Sequence, residues 1–287
     1  MEIDTIQWYP GHMVKAQKLV RENLKLVDVV VELLDARIPI SSRNPEIDKI
    51  LGNKLRIIVL NKADLANRNQ TETWKRFFEV EGGYPCIPMD SQQGKGITGL
   101  ITKAQDLAAA IIEKLVTKGR RPRSVRLMMV GIPNVGKSSL INRLAGKGST
   151  RTEDRPGVTR GKQWIRVAKG LELLDTPGIL WPKFEDPEVG FKLAITGAIK
   201  DEIINIEQVV LKLTKLLAKI APDELKARYK LDELDSDPCE ILKKIGIKRG
   251  CLISGGNVDT LKTSIILLNE FRAGKIGLFT LDEIIYP

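Results

Sequence analysis

Cysteine is scarce in this sequence and histidine nearly absent. Cys86, Cys239 and Cys251 stand far apart with no CxxC spacing, so neither a disulfide framework nor a zinc site is supported, and a reducing compartment fits. No apolar run approaches the roughly 20 residues that span a bilayer. The opening MEIDTIQWYPGHM also lacks the basic start and apolar centre of a signal peptide. These absences point to a cytoplasmic protein with no membrane partner. There is no internal repeat and no low-complexity tract. What remains is an ordinary globular composition, 43% apolar and 29% charged, in 287 residues, enough for about two domains with a core each.

Negative charge is missing from one region in particular. The net charge of +10 is unevenly spread: residues 1–178 hold 30 Lys/Arg against 19 Asp/Glu, and residues 179–287 hold 16 against 17. Between Lys114 and Lys169, 15 basic residues face only Glu153 and Asp154. A solvated basic surface is the plain reading. An excess so concentrated favours a polyanionic partner, nucleic acid first.

Up to residue 178 the chain alternates strand-like and helix-like segments, the pattern of a mostly parallel α/β sheet with helices on both faces. DVVVELLDA (28–36), LRIIVLNKA (55–63), YPCIPMD (84–90) and SVRLMMVG (124–131) read as strands. TGLITKAQDLAAAIIEKLVTK reads as an amphipathic helix that leads into the basic connector GRRPR. GKQWIRVA and LELLDTP form an expected hairpin across Lys169-Gly170. Beyond Pro182 only helices are expected. One carries Ile203, Ile206, Val210, Leu213, Leu217 and Ile220 on its apolar face, and a later one carries Leu261, Ile265, Leu268 and Phe271. The division expected is a domain over 1–180 and an all-α domain over 181–287.

GIPNVGKSS matches the phosphate-loop spacing G-x-x-x-x-G-K-[ST] at Gly131, Gly136, Lys137 and Ser138, and it lies between a strand and a helix. Glycine there lets backbone N–H groups wrap phosphates at a helix N-terminus. Lys137 reaches the outer phosphates and Ser138 gives an oxygen to Mg²⁺. Asn134, Val135 and Ser139 complete the expected phosphate-binding stretch. LLDTPG places Asp175 and Gly178 after another strand, as a carboxylate for the Mg²⁺ shell and an N–H for the γ-phosphate. Thr159, in the intervening TEDRPGVTRG, could complete that shell.

Asn61-Lys62-Ala63-Asp64 is the expected base-reading element for GTP or GDP. A carboxylate at Asp64 can accept two hydrogen bonds from the N1–H and N2–H₂ edge of guanine, and adenine offers no such pair. Lys62 would lie along the base, Asn61 would tie its loop to the phosphate loop, and Ser91 in MDSQQGKG would sit near the guanine carbonyl. This element precedes the phosphate loop, the reverse of the usual order. A circularly permuted P-loop G domain resolves the conflict, with AIIEKLVTKGRRPRSVRLMMVG joining the usual end of the fold to its usual start. The cut then falls just after Gly178, where the helical domain begins.

With WYPGHM, DARIPISSRNP, LNKADL, GIPNVGKSSLIN, RPGVTRGKQWI, LDTPGILWPKFED, GAIKDEI and FRAGKIG spread over nearly its whole length, the chain resembles the circularly permuted GTPases of the ribosome biogenesis GTPase A type. That resemblance implies GTP hydrolysis; a monomer is expected, and a low intrinsic rate follows from Ile179 standing where many small GTPases carry a water-positioning glutamine. It also implies late assembly of the large (50S) ribosomal subunit, with rRNA and ribosomal proteins as partners and RNA contacts from the helical domain. Two other readings stay open: an RNA-binding module whose nucleotide is regulatory, and a GTPase of another RNA-processing pathway.

One further residue is lacking. Many small GTPases orient the attacking water with a glutamine directly after D-x-x-G, and here that position is Ile179, followed by Leu180. The sole histidine, His12, either caps or packs a helix or supplies the missing water contact. Asn134, by similarity to other GTPases with a hydrophobic residue at this place, could help hold K⁺ beside the phosphates.

Overall fold

The computed structural model describes residues 18–146, 164–168, 170–174 and 186–284. Its contacts separate into two units. One runs to Pro182 and takes the chain back from Asp282; the other is Lys183–Leu281.

The first unit is built on six strands: β1 (Val29–Asp35), β2 (Leu55–Asn61), β3 (Cys86–Pro88), β4 (Val125–Gly131), β5 (Trp164–Ala168) and β6 (Leu171–Leu174). They lie in the order β3-β2-β1-β4-β6-β5. All pairings are parallel except the β5–β6 hairpin. Counted from β4 instead of from the N-terminus, the same sheet reads 6-5-4-1-3-2. The chain order is therefore that of a sheet whose natural first strand is the fourth met, and the α/β G-domain architecture is circularly permuted. The connection that makes this possible is a long helix, α3 (Ile97–Thr117), followed by residues 118–124.

Every residue of β1 is buried, so the sheet is covered on both faces, which is why its strands read as unbroken apolar runs. Val30, Met128, Val130 and Leu174 meet Val20 and the short helix α1 (Ile47–Leu51). Leu34, Ile58 and Leu60 meet Trp74 and Phe78 of α2 (Arg68–Val80). One carboxylate interrupts β1. Glu32 is buried between the guanidinium groups of Arg43 and Arg56, each 3.2 Å away; burial nevertheless raises its pKa above the ordinary value. The phosphate-loop helix, α4, is Lys137–Ala145.

The chain re-enters this unit at Asp282. Its buried carboxylate accepts N–H groups from Ile40 (2.9 Å) and Ser41 (2.8 Å) and the Ser41 hydroxyl (2.7 Å). The sequence pattern carried no sign of this return.

In the second unit the helices are α5 (Pro187–Ile195), α6 (Ile206–Ile220), α7 (Pro222–Tyr229), α8 (Pro238–Lys248) and α9 (Thr260–Arg272). Two sequence expectations need correction. Ile203 is not on α6: Asn205 accepts the Gln208 N–H and caps the helix there. Ile203 sits exposed on a 3₁₀ turn, and Ile220 is exposed at the other end. On α9 the buried face holds Thr263, Ser264, Leu267, Leu268 and Phe271, while Leu261 and Ile265 face solvent. The reason is a close seam. A Cβ on Gly246 of α8 would lie 2.7 Å from the Thr263 hydroxyl, so small side chains fill the contact and the larger ones flank it. Arg272 ties FRAGKIG to GAIKDEI, donating to both carboxylate oxygens of Asp201 and to the carbonyls of Ala194 and Ile195 at the end of α5.

Candidate functional site

β1, β2, β3 and β4 run parallel, so the loops that follow them gather at one edge, where ligands of open α/β sheets bind. β4 reaches that edge at Gly131, paired with Leu33 of β1. A Cβ at residue 131 would meet the Leu33 carbonyl at 2.6 Å, so only glycine lets the two strands stay paired here. The loop then turns through Asn134, at φ 56°, and Gly136, at φ 104°. α4 follows, with its free N–H groups and positive dipole end facing the loop. Ser138 and Ser139 are exposed in its first turn, and Val135 is buried. The Lys137 ammonium folds back on the carbonyls of Gly131 (2.9 Å) and Ile132 (2.6 Å). Burial lowers its pKa to about 8. A cation held, among the described residues, by two carbonyl oxygens is ready to exchange them for an anion.

Asn61, the last residue of β2, joins three loops. Its side-chain N–H₂ donates to the Val135 carbonyl at 2.7 Å, and its side-chain oxygen accepts the Ser91 N–H at 3.1 Å. The amide therefore lies against the phosphate loop. Ser91 is buried and held by a turn in which Asp90 accepts the N–H groups of Gln92 and Gln93. The Ala63 N–H donates to the Met89 carbonyl, which aligns the loop after β2 with the one after β3. Asp64 is exposed on a 3₁₀ turn. Its pKa is raised, first by desolvation where the carboxyl meets the loop and then by repulsion from Asp90.

Lys62 adopts the left-handed conformation, φ 59°, and its ammonium lies 3.0 Å from Asp35. Sequence reasoning missed Asp35 and its neighbour Arg37. Asp35 is buried at the end of β1, directly beside Asn61 in the parallel register. It accepts Arg37 through both guanidinium N–H groups, at 2.9 and 2.7 Å. Burial alone would raise its pKa, but the charges of Arg37 and Lys62 outweigh it and bring the value to about 2. The available signal was that a β1 strand and a β2 strand of equal length both end in polar residues.

The structure thus brings together Asn61, Lys62, Asp64, Ser91, Gly131, Asn134, Val135, Gly136, Lys137, Ser138 and Ser139. His12, Thr159, Asp175, Gly178 and Ile179 lie outside the described residues. Among the described residues no helix is long and apolar enough to cross a membrane.

Comparison with known proteins then decides the family. A family described as "50S ribosome-binding GTPase" matches residues 126–250. Ribosome biogenesis GTPase A of Priestia megaterium is 52% identical over 97% of this chain and 97% of its own length. The chain belongs to the ribosome biogenesis GTPase A family. It is accordingly a GTPase of ribosome assembly, and the nucleotide it binds is a guanine nucleotide. The family member of Thermotoga maritima is 30% identical over 97% of this chain and 94% of its own length. Two solved structures extend the likeness to the fold: GDP-bound YlqF, with TM-score 0.63, 27% identity and 92% and 98% of the two chains covered, and GNP-bound YlqF from T. maritima, with 0.61, 29%, 92% and 95%.

Proposed function

We propose that this chain hydrolyses GTP while bound to a precursor of the large ribosomal subunit, and that the loops at the strand ends divide the task. Asp64 reads the guanine edge. Lys62, fixed by Asp35, lies along the base, and Ser91 meets the guanine carbonyl. The N–H groups from Gly131 to Ser139 and the Lys137 ammonium take the phosphates. The exposed Ser138 hydroxyl is an oxygen donor suited to a hard cation, and with Thr159 and Asp175 it would hold Mg²⁺. When bound, Mg²⁺ neutralises charge on the outer phosphates. Gly178 would offer its N–H to the γ-phosphate. Asn134, exposed at the lip of the loop, would help hold K⁺. His12 would position water in place of the glutamine that Ile179 displaces.

The observation that supports this division most is the Asn61 amide. It hydrogen-bonds a phosphate-loop carbonyl and the Ser91 backbone at once, which supports a joint site for base and phosphates from loops that lie in reversed order along the chain. The descriptions of the matching family and of the relatives support the ribosomal partner.

The test is GTP turnover by the purified protein with and without large ribosomal subunits, in K⁺ and in Na⁺. Weak turnover alone, clear stimulation by subunits and a further rise in K⁺ are expected. Turnover that subunits leave unchanged would instead favour an RNA-binding module with a regulatory nucleotide.

A further inference from the structure

The strand ends opposite the nucleotide loops carry a second cavity. β1 and β4 begin there, at Val29 and Val125, and roughly 20 Å of parallel strand separates this pole from Gly131. The cleft encloses about 390 Å³ and is lined by Lys25, Asp28, Arg120, Arg121, Arg123 and Arg126. Five cations therefore surround one carboxylate.

That carboxylate is fully engaged. Asp28 accepts both guanidinium N–H groups of Arg123, at 2.7 and 2.8 Å, and the backbone N–H of Arg126 at 2.9 Å. Burial opposes its charge, but the Arg123 hydrogen bonds prevail and hold its pKa below the ordinary carboxylate value. Arg123 also donates to the Ser124 carbonyl. It is thus a clamp that fixes the connector between α3 and β4. The other side of the connector is fixed as well: Gly119 turns left-handed at φ 74°, and the Arg120 N–H returns to the Leu115 carbonyl at the end of α3. Arg120 and Arg121 stand exposed between these two anchors, and no carboxylate among the described residues pairs with either. Arg126 is held over the Trp164 ring, 4.8 Å from its centre, and Glu172 lies 3.6 Å away.

Guanidinium forks match phosphate oxygens geometrically, and several fixed in one concave site favour a polyanion that meets them together. We propose that this cleft is a second anion site, independent of the nucleotide, that takes the phosphate backbone of RNA. Arg120, Arg121 and Arg126 contact phosphate, and Arg123 acts as a positioning residue. The connector exists only because the domain is permuted, so the site is a by-product of that joint. The proposal deepens the ribosomal reading above and rests on it for the identity of the RNA.

The test uses the full chain with Arg120→Glu and Arg121→Glu combined, against the Arg120→Lys and Arg121→Lys pair. Binding to large ribosomal subunits and to protein-free large-subunit rRNA is followed from about 50 to 200 mM salt. The Glu pair should lose at least about tenfold in affinity for both probes and flatten the log K against log salt slope by about 2, one unit per lost phosphate contact. GTP affinity and the unfolding midpoint should stay at wild-type values, and the Lys pair should keep most of the binding. A wild-type slope in the Glu pair overturns the site while leaving the ribosomal function intact. Loss on subunits but not on bare rRNA also overturns it, because the partner is then a protein. If the wild type ignores subunits yet binds rRNA through these arginines, the cleft stands and the ribosomal reading falls.

Discussion

A methyl group on residue 136 would sit 2.2 Å from the Asn61 amide nitrogen and 3.4 Å from the Ser91 hydroxyl. No real side chain tolerates the first distance, and φ 104° strains any L-residue besides. Gly136→Ala should therefore lower stability by about 1–3 kcal/mol through backbone strain alone, and it should weaken GTP binding by displacing the amide from Val135. Adding Asn61→Ala should restore part of the stability but none of the binding, because the tie between the loops is then gone. Thermal unfolding and nucleotide titration of the single and double variants read both effects. A Gly136→Ala protein with the wild-type midpoint would contradict the contact. Gly136 and Lys137 were legible in the sequence because a phosphate loop imposes a fixed spacing, yet the collision with Asn61 was not. Asp35 was legible only as the polar end of a strand, and its partnership emerges once the register sets it beside Asn61.

At the scale of elements, β1 and β2 act together through Asp35. Its pKa falls from 3.8 to about 2 on folding, so it contributes stability that is fully present above the unfolded value and is lost as pH drops toward the folded one. The shift corresponds to ~2 kcal/mol. In Asp35→Asn that pH-dependent contribution is absent, and Lys62 and Arg37 lose a buried counter-ion, a change that costs about 3–5 kcal/mol when one partner of a buried pair is removed. The stability gap between wild type and variant should be full at pH 5 and above, and narrow between about pH 4 and pH 2. Denaturant titrations at several pH values would show it; a gap constant down to pH 2.5 would argue against the assignment. GTP affinity should fall too, since the ion pair that holds Lys62 at 3.0 Å is then lost. The strands were legible because buried parallel strands are continuous apolar runs. The face of α9 was not, because Leu268 and Phe271 fit either of two overlapping stripes. The seam at Gly246, a contact between two helices, selects the one with Thr263.

Taken as a whole, the molecule concentrates its positive charge where the permutation joint runs, and it returns its chain to the first unit at Asp282. Asp282→Ala removes the acceptor of three hydrogen bonds, worth about 1–3 kcal/mol for a charged group in a buried setting. The Ile40 and Ser41 amides should lose protection in hydrogen exchange while the Leu140 amide, bonded to the Gly136 carbonyl, keeps its own. The second, less obvious effect lies in residues that Asp282 never touches. Lys183–Leu281 is an excursion of roughly a hundred residues that leaves the first unit and comes back to it. While the Asp282 contact holds, any unfolding of that excursion must occur in a ring and not on a free tail, and a ring has fewer disordered conformations by an amount that grows as the logarithm of its length. The contact therefore works as a reversible crosslink: its loss should speed exchange throughout α6 and α9, although the bond itself lies outside that unit.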